Sequence, residues 1–130
     1  MNQSKTFPSP SSRFSELIAS TQKWLSREGF QCQKLHTEDG GTLLQIEKIG
    51  GWRKLVGMST ALNIVFHQVE ETVNVEIGAG RWIDKAATGA VAYLILWPLA
   101  VMAGIGAWQQ IRMPERIFEH ISDFLRTKRH

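Results

Sequence analysis

Residues 86–108 read AATGAVAYLILWPLAVMAGIGAW, 23 residues without one charged side chain. About 18 such residues are enough to span a bilayer, and outside lipid only a deep core accommodates them. The apolar heart of the run is Tyr93, Leu94, Ile95, Leu96, Trp97, Pro98, Leu99, Val101 and Met102.

Three readings of this run compete. As one helix at about 1.5 Å per residue it reaches roughly 34 Å, enough for a hydrocarbon core of about 30 Å. Trp82 and Trp108 would then flank it at headgroup level, and Pro98 would kink it, which membrane helices tolerate. As a helical hairpin bent at Trp97-Pro98, each arm of about 16 Å reaches mid-bilayer and returns. Charge favours the hairpin. Arg81 and Lys85 precede the run, and Arg112, Arg116, Arg126, Lys128 and Arg129 follow it. Basic flanks tend to stay cytoplasmic, and a single span must export one of them. Against the hairpin, Leu96-Trp97-Pro98-Leu99 lacks the glycine or asparagine of a tight turn. In the third reading the run is the buried core of a soluble protein, with the alanines and glycines between Ala100 and Ala107 allowing close helix packing. The expectation is a membrane segment, hairpin or span, with the N-terminal domain on the cytoplasmic side.

Small residues recur four apart within the run, at Ala86 and Ala90, Ala100 and Gly104, and Ala103 and Ala107. That spacing lets membrane helices approach closely, so self-association is one expected partnership.

The rest of the 130-residue chain is enough for one small domain. Fifteen Lys and Arg against 12 Asp and Glu give a net charge of +3, suited to an anionic membrane surface and too scattered for nucleic acid. Cys32 is the only cysteine, so no intrachain disulfide forms. MNQSKTFPSP has no apolar core, so no signal peptide is expected, and residues 1–12 read as a disordered tail.

Periodicity supplies the fold class. From Arg13 to Glu28, Phe14, Leu17, Ile18, Thr21, Trp24 and Leu25 share a helical face, with Ser11 or Ser12 as cap and Gly29 as the left-handed stop. Four strands follow, at 30–35, 42–49, 61–69 and 72–77. Leu44 and Ile46 alternate with Gln45 and Glu47, Leu62, Ile64 and Phe66 with Asn63 and His67, and Val73, Val75 and Ile77 with Asn74 and Glu76. Such alternation predicts an antiparallel sheet with one buried and one wet face. Turns are expected at Asp39-Gly40-Gly41, Gly50-Gly51 and Val69-Glu70-Glu71, and Gly78-Ala79-Gly80 is expected to end the last strand. Pro114 opens a second amphipathic helix, with Ile117, Phe118, Ile121, Phe124 and Leu125 on one face. The expected class is therefore α+β: an N-terminal helix on a four-stranded antiparallel sheet, then an apolar membrane hairpin or span, then a C-terminal amphipathic helix. The expected parts are the 1–12 tail, a cytoplasmic α-β-β-β-β domain at 13–85, the membrane segment at 86–108 and the amphipathic helix within 109–130.

Catalytic chemistry finds little footing. Cys32 and His36 are four apart with no second pair to complete a metal site. Gly78-Ala79-Gly80 lacks the third glycine of a dinucleotide fingerprint. His120, Asp123 and Glu119 share a helix as a candidate acid/base group, although such residues are usually a solvated face. No cofactor, metal or enzymatic activity is expected. Trp52-Arg53-Lys54 is suited to headgroups, as is Arg81-Trp82. The expected membrane-interface residues are Trp52, Arg53, Lys54, Arg81, Trp82, Lys85, Trp108 and Arg112.

These features point to a non-enzymatic interaction or scaffolding module on the cytoplasmic face of a membrane, with a protein partner or a second copy of itself. The alternative is a soluble carrier enclosing a lipid-like ligand. Nucleic-acid binding through Arg53, Lys54 and Arg81 is a weaker third and is not expected.

Overall fold

The computed structural model describes residues 3–48, 60–81 and 112–126. In chain order these form β1 (Gln3–Pro8), α1 (Phe14–Arg27), β2 (Phe30–His36), β3 (Thr42–Lys48), β4 (Thr60–Val69), β5 (Thr72–Arg81) and α2 (Met113–Arg126). The class is α+β, with an antiparallel sheet, one helix between its first two strands in sequence and one helix after its last. The sheet has five strands rather than the four expected, in the order β1-β5-β4-β3-β2.

The extra strand comes from residues read as a disordered tail. Gln3 to Pro8 pairs antiparallel with Ile77 to Thr72, and the Ser9 N–H extends the tie to the Glu71 carbonyl (2.9 Å). Phe7 packs against the buried core. The polar composition hid this strand because its partner lies some 70 residues away in the chain. Nothing local to residues 3–8 announces the pairing.

Strands β2 to β5 form a meander, so β1 and β2 run parallel at opposite edges. The link between them has to cross the whole sheet. Four strand spacings come to about 19 Å, and the 14 residues of α1 give about 21 Å. A 3-10 turn at Ser11–Arg13 leads into α1, so neither Ser11 nor Ser12 caps it through its side chain. Gly29 ends it at φ 93°, the left-handed geometry expected there.

One sheet face carries Leu44, Ile46, Leu62, Ile64, Phe66, Val73, Val75 and Ile77, all buried. Leu44, Ile64 and Ile77 lie opposite one another across three strands. Leu17, Ile18 and Leu25 of α1 and Met113, Ile117, Phe118 and Ile121 of α2 close over this face. Each fully buried aliphatic or aromatic side chain contributes about 1.5–3 kcal/mol.

The other face is not the wet one that alternation predicts. Gln45, Glu47 and Asn63 are 0, 3 and 2% exposed, and Leu43, Ala61 and Val65 beside them are buried too. A row of amides crosses this face. Gln33 Nε2 donates to Gln45 Oε1 (2.9 Å), and Gln45 Nε2 donates to Asn63 Oδ1 (2.7 Å). These residues are register partners on β2, β3 and β4, so the bonds are made without bending any strand. Both described helices lie over the first face.

Gly78-Ala79-Gly80 also departs from expectation. It lies within β5, opposite Asn63, Leu62 and Ala61, and the strand runs on to Arg81. The tight β2–β3 connection uses Gly40 at φ 91°. At Gly41 an added Cβ would stand 2.9 Å from the Phe66 carbonyl oxygen and closer still to the His67 ring.

If residues 3–8 are a strand, Phe7→Ala should lower the unfolding free energy by about 1–2 kcal/mol, half the cost of a fully buried phenylalanine. A disordered tail would leave the denaturation midpoint unchanged.

Candidate functional site

The two helices meet along a seam whose contacts fix their direction. The Arg13 guanidinium lies over the Phe124 ring (4.5 Å), and Ser20 Oγ is 3.2 Å from His120 Nε2. Trp24 stacks on His120 with ring centroids 4.6 Å apart and planes at 4°. Arg116 lies over Trp24 (5.7 Å) and pairs with Glu28 (2.5 Å). Rising positions on α1 therefore meet falling positions on α2, so the helices are antiparallel and α2 begins where α1 ends.

That end is also where the strands open. Gly29 joins α1 to Phe30, the first residue of β2, which lies opposite Lys48, the last of β3. β4 starts at Thr60 opposite Arg81, the last residue of β5. The chain thus leaves at 48, returns at 60, leaves at 81 and returns at 112, all at one pole. The opposite pole holds Pro8, the β2–β3 turn, Glu70 and Glu71, and the end of α2.

Of the expected membrane-interface residues, Arg81 and Arg112 are described, and both are at this pole. Arg112 is exposed, has φ 55°, and its carbonyl accepts the Arg116 N–H (3.0 Å) at the start of α2. Trp52, Arg53, Lys54, Trp82, Lys85 and Trp108 lie outside the described residues, as does the whole run from Tyr93 through Leu94, Ile95, Leu96, Trp97, Pro98, Leu99 and Val101 to Met102. Among the described residues no helix is long and apolar enough to cross a membrane.

The chemical candidates resolve into packing. His120 is held in the seam, and Asp123 pairs with Arg126 (2.5 Å). Burial is the main force lowering the His120 pKa. The Asp123 carboxylate opposes it and the Arg27 guanidinium adds to it. Cys32 is half-buried beneath α1, with its Sγ 3.9 Å from the Gln22 carbonyl and from Ser26 Oγ. Burial pushes this thiol up, partly offset by the Ser26 hydroxyl. His36 is exposed on the same strand. Among the described residues no group of three or more His, Cys, Asp and Glu side chains is placed to hold a metal.

One titratable contact is not visible in the sequence. His67 Nε2 donates to Asp39 Oδ1 (3.0 Å), and the Thr37 hydroxyl donates to the same oxygen. The Thr37 bond first and the His67 bond second pull the Asp39 carboxyl down to about 2. The pair lies at the far pole, joining the β2–β3 turn to β4.

A groove of about 600 Å³ lies between β1 and the outer side of α2, floored by Phe7 and Phe118. Its other walls include Lys5, Arg112, Glu115 and Glu119. No sequence signal marked it, because β1 itself was not anticipated.

No protein-family model, curated protein or solved structure matches the chain.

Two pH windows follow. Unfolded His120 takes a proton near 6.5 while the folded residue resists it, so its stabilising effect is full above 6.5 and lost as pH falls below. Asp39 acts lower, its contribution being present above 3.8 and lost as pH falls toward 2. In denaturation series, His120→Gln should flatten the loss below pH 6.5 and leave the acid limb, while Asp39→Asn should do the reverse.

Proposed function

We propose that the chain is a membrane-attached, non-enzymatic interaction module, with its αβ domain on the cytoplasmic face. The uncharged run carries the attachment, and the core shared by the residues on either side of it carries the way the run would be held. Val73, Val75 and Ile77 of β5 lie before it, Met113, Ile117 and Ile121 of α2 lie after it, and all six belong to one buried cluster. The two flanks are therefore on one side of any bilayer the run enters. A single span would put the bilayer between them, so the shared core favours the re-entrant hairpin. Arg81, Lys85, Arg112 and Arg116 at the flanks agree with a cytoplasmic placement.

The 49–59 connection strengthens the reading. It leaves and rejoins the sheet at the same pole and carries Trp52, Arg53 and Lys54. Near an anionic leaflet each cation contributes about 1 kcal/mol. One pole thus holds the described ends of both connections, the one that carries Trp52, Arg53 and Lys54 and the one that carries the apolar run.

A second reading has its own support. The buried second sheet face, with Leu43, Ala61 and Val65 around the amide row, needs a cover that the two described helices do not supply. An apolar segment folded over it would make the chain a soluble carrier with a lipid-like ligand between sheet and cover.

Fractionation followed by an alkaline carbonate wash separates the readings. The membrane module stays in the washed pellet, and the Leu96→Lys, Leu99→Lys double variant moves to the supernatant. With Cys32→Ser as background, cysteines placed at Lys85 and Arg112 should both react with an impermeant maleimide only after the cytoplasmic side is opened. Recovery of the unaltered protein in the soluble fraction, with a stoichiometric lipid in its organic extract, would replace the module by the carrier.

A further inference from the structure

We propose that the outer edge of β1, with the groove beside it, is the docking site for an extended peptide of a partner protein that presents an apolar and a basic side chain toward α2. The proposal deepens the reading of this chain as an interaction module and rests on it, but not on where residues 86–108 lie.

The first argument is main-chain chemistry. Among the described residues β1 stands last in the sheet order and pairs only with β5. An antiparallel strand turns the N–H and C=O groups of alternate residues outward, so one side of β1 offers an unused ladder. The register from Gln3 to Pro8 has no bulge to twist the edge away, and Ser4, Lys5 and Thr6 are exposed. Lysine often guards such an edge, but the Lys5 ammonium lies over the Phe118 ring, 5.4 Å from its centre.

The second argument is the groove. Gln3, Lys5 and Phe7 alternate along β1 and line it from below, and α2 forms the wall above. The Phe7 and Phe118 rings, 6.3 Å apart, make an apolar floor. At about 600 Å³ the space lies within the range of ligand sites, about 300–1,000 Å³. A strand added to β1 would aim every second side chain into it, at intervals of about 7 Å.

Two carboxylates on the wall set where a basic side chain of the peptide would sit. Glu115 and Glu119, one helical turn apart on the wall, have no ion pair among the described residues. Their nearest helical cation, Arg116, is already paired with Glu28. An apolar side chain on the Phe7–Phe118 floor, followed two residues on by lysine or arginine, meets both features. Lys5, Arg112 and Arg116 line the groove as well, so net charge does not exclude a phosphate; the edge ladder, which neither a lipid headgroup nor a small molecule would fill, selects a peptide.

The probe is a fluorescein-labelled synthetic peptide in which threonine alternates with valine and lysine, titrated into the full-length protein and read by anisotropy. Saturable binding is expected. It should weaken about tenfold or more for the same peptide N-methylated on alternate amides, and by a similar factor for Glu115→Lys with Glu119→Lys. Both glutamates are exposed, so these variants keep their circular dichroism. Equal affinity of the N-methylated peptide overturns the edge, and equal affinity of the double variant overturns the assigned wall. Dimerisation that excludes the peptide assigns the edge to a second copy and overturns the proposal. No peptide binding by protein that still sediments with membranes removes the docking site alone. Peptide binding by protein that does not sediment supports the site while the membrane reading fails.

Discussion

Burial of one side of α2 in the core that it shares with α1 and the sheet is the interaction on which the rest of the molecule depends. Met113, Ile117, Phe118 and Ile121 close over Val73, Val75 and Ile77, so the chain segments before and after the 82–111 connection form one body. At about 1.5–3 kcal/mol for each buried side chain, separating them costs far more than the few tenths to 1 kcal/mol of an exposed ion pair at the same seam. The seam's polar contacts then set direction rather than strength. Trp24 on His120 and Arg116 between Trp24 and Glu28 admit one antiparallel alignment, and that alignment puts the start of α2 beside the ends of β3 and β5.

Much of this was legible in the sequence wherever the signal is local. The α1 face from Phe14 to Leu25, the meander from Phe30 to Ile77, and the α2 face from Ile117 to Leu125 follow from periods of 3.6 and 2. Gly29 stood out as the α1 stop because only a left-handed residue ends the helix that way. What failed was non-local. β1 has too little apolar character to announce itself, and it becomes a strand only because β5 leaves an edge for it. Gln45, Glu47 and Asn63 read as solvent-facing by residue type, yet they are buried, and the amide row from Gln33 to Asn63 shows how two of them are satisfied there. Alternation reports which residues share a face but not what covers that face.

The candidate site was legible in part for the same reason. Arg81 and Arg112 were named from their place beside the apolar run, and both stand at the exit pole. The convergence of the 49–59 and 82–111 connections at that pole is a property of strand order, which no stretch of sequence states. The His67–Asp39 and Trp24–His120 contacts join residues far apart in the chain, so His67 read only as a polar residue of an alternating strand and His120 as part of a solvated helix face.

Strand order also bears on how an attached domain is presented. A chain anchored through one linker swivels about it. Here the run is held at both ends, at Arg81 on β5 and Arg112 on α2, and the Trp52–Lys54 loop leaves from the same pole. In the proposed hairpin these attachments limit rotation of the sheet about the bilayer normal. The β1 groove starts at that pole, where Gln3 and Arg112 line it, and extends toward Phe7 and Ser122. If the proposed attachment holds, a peptide added to β1 would lie along the line between the membrane side and the far pole. In the proposed arrangement attachment and docking would be coupled by the fold itself, since the core that α2 shares with β5 would hold the two ends of the run together and also builds the wall of the groove.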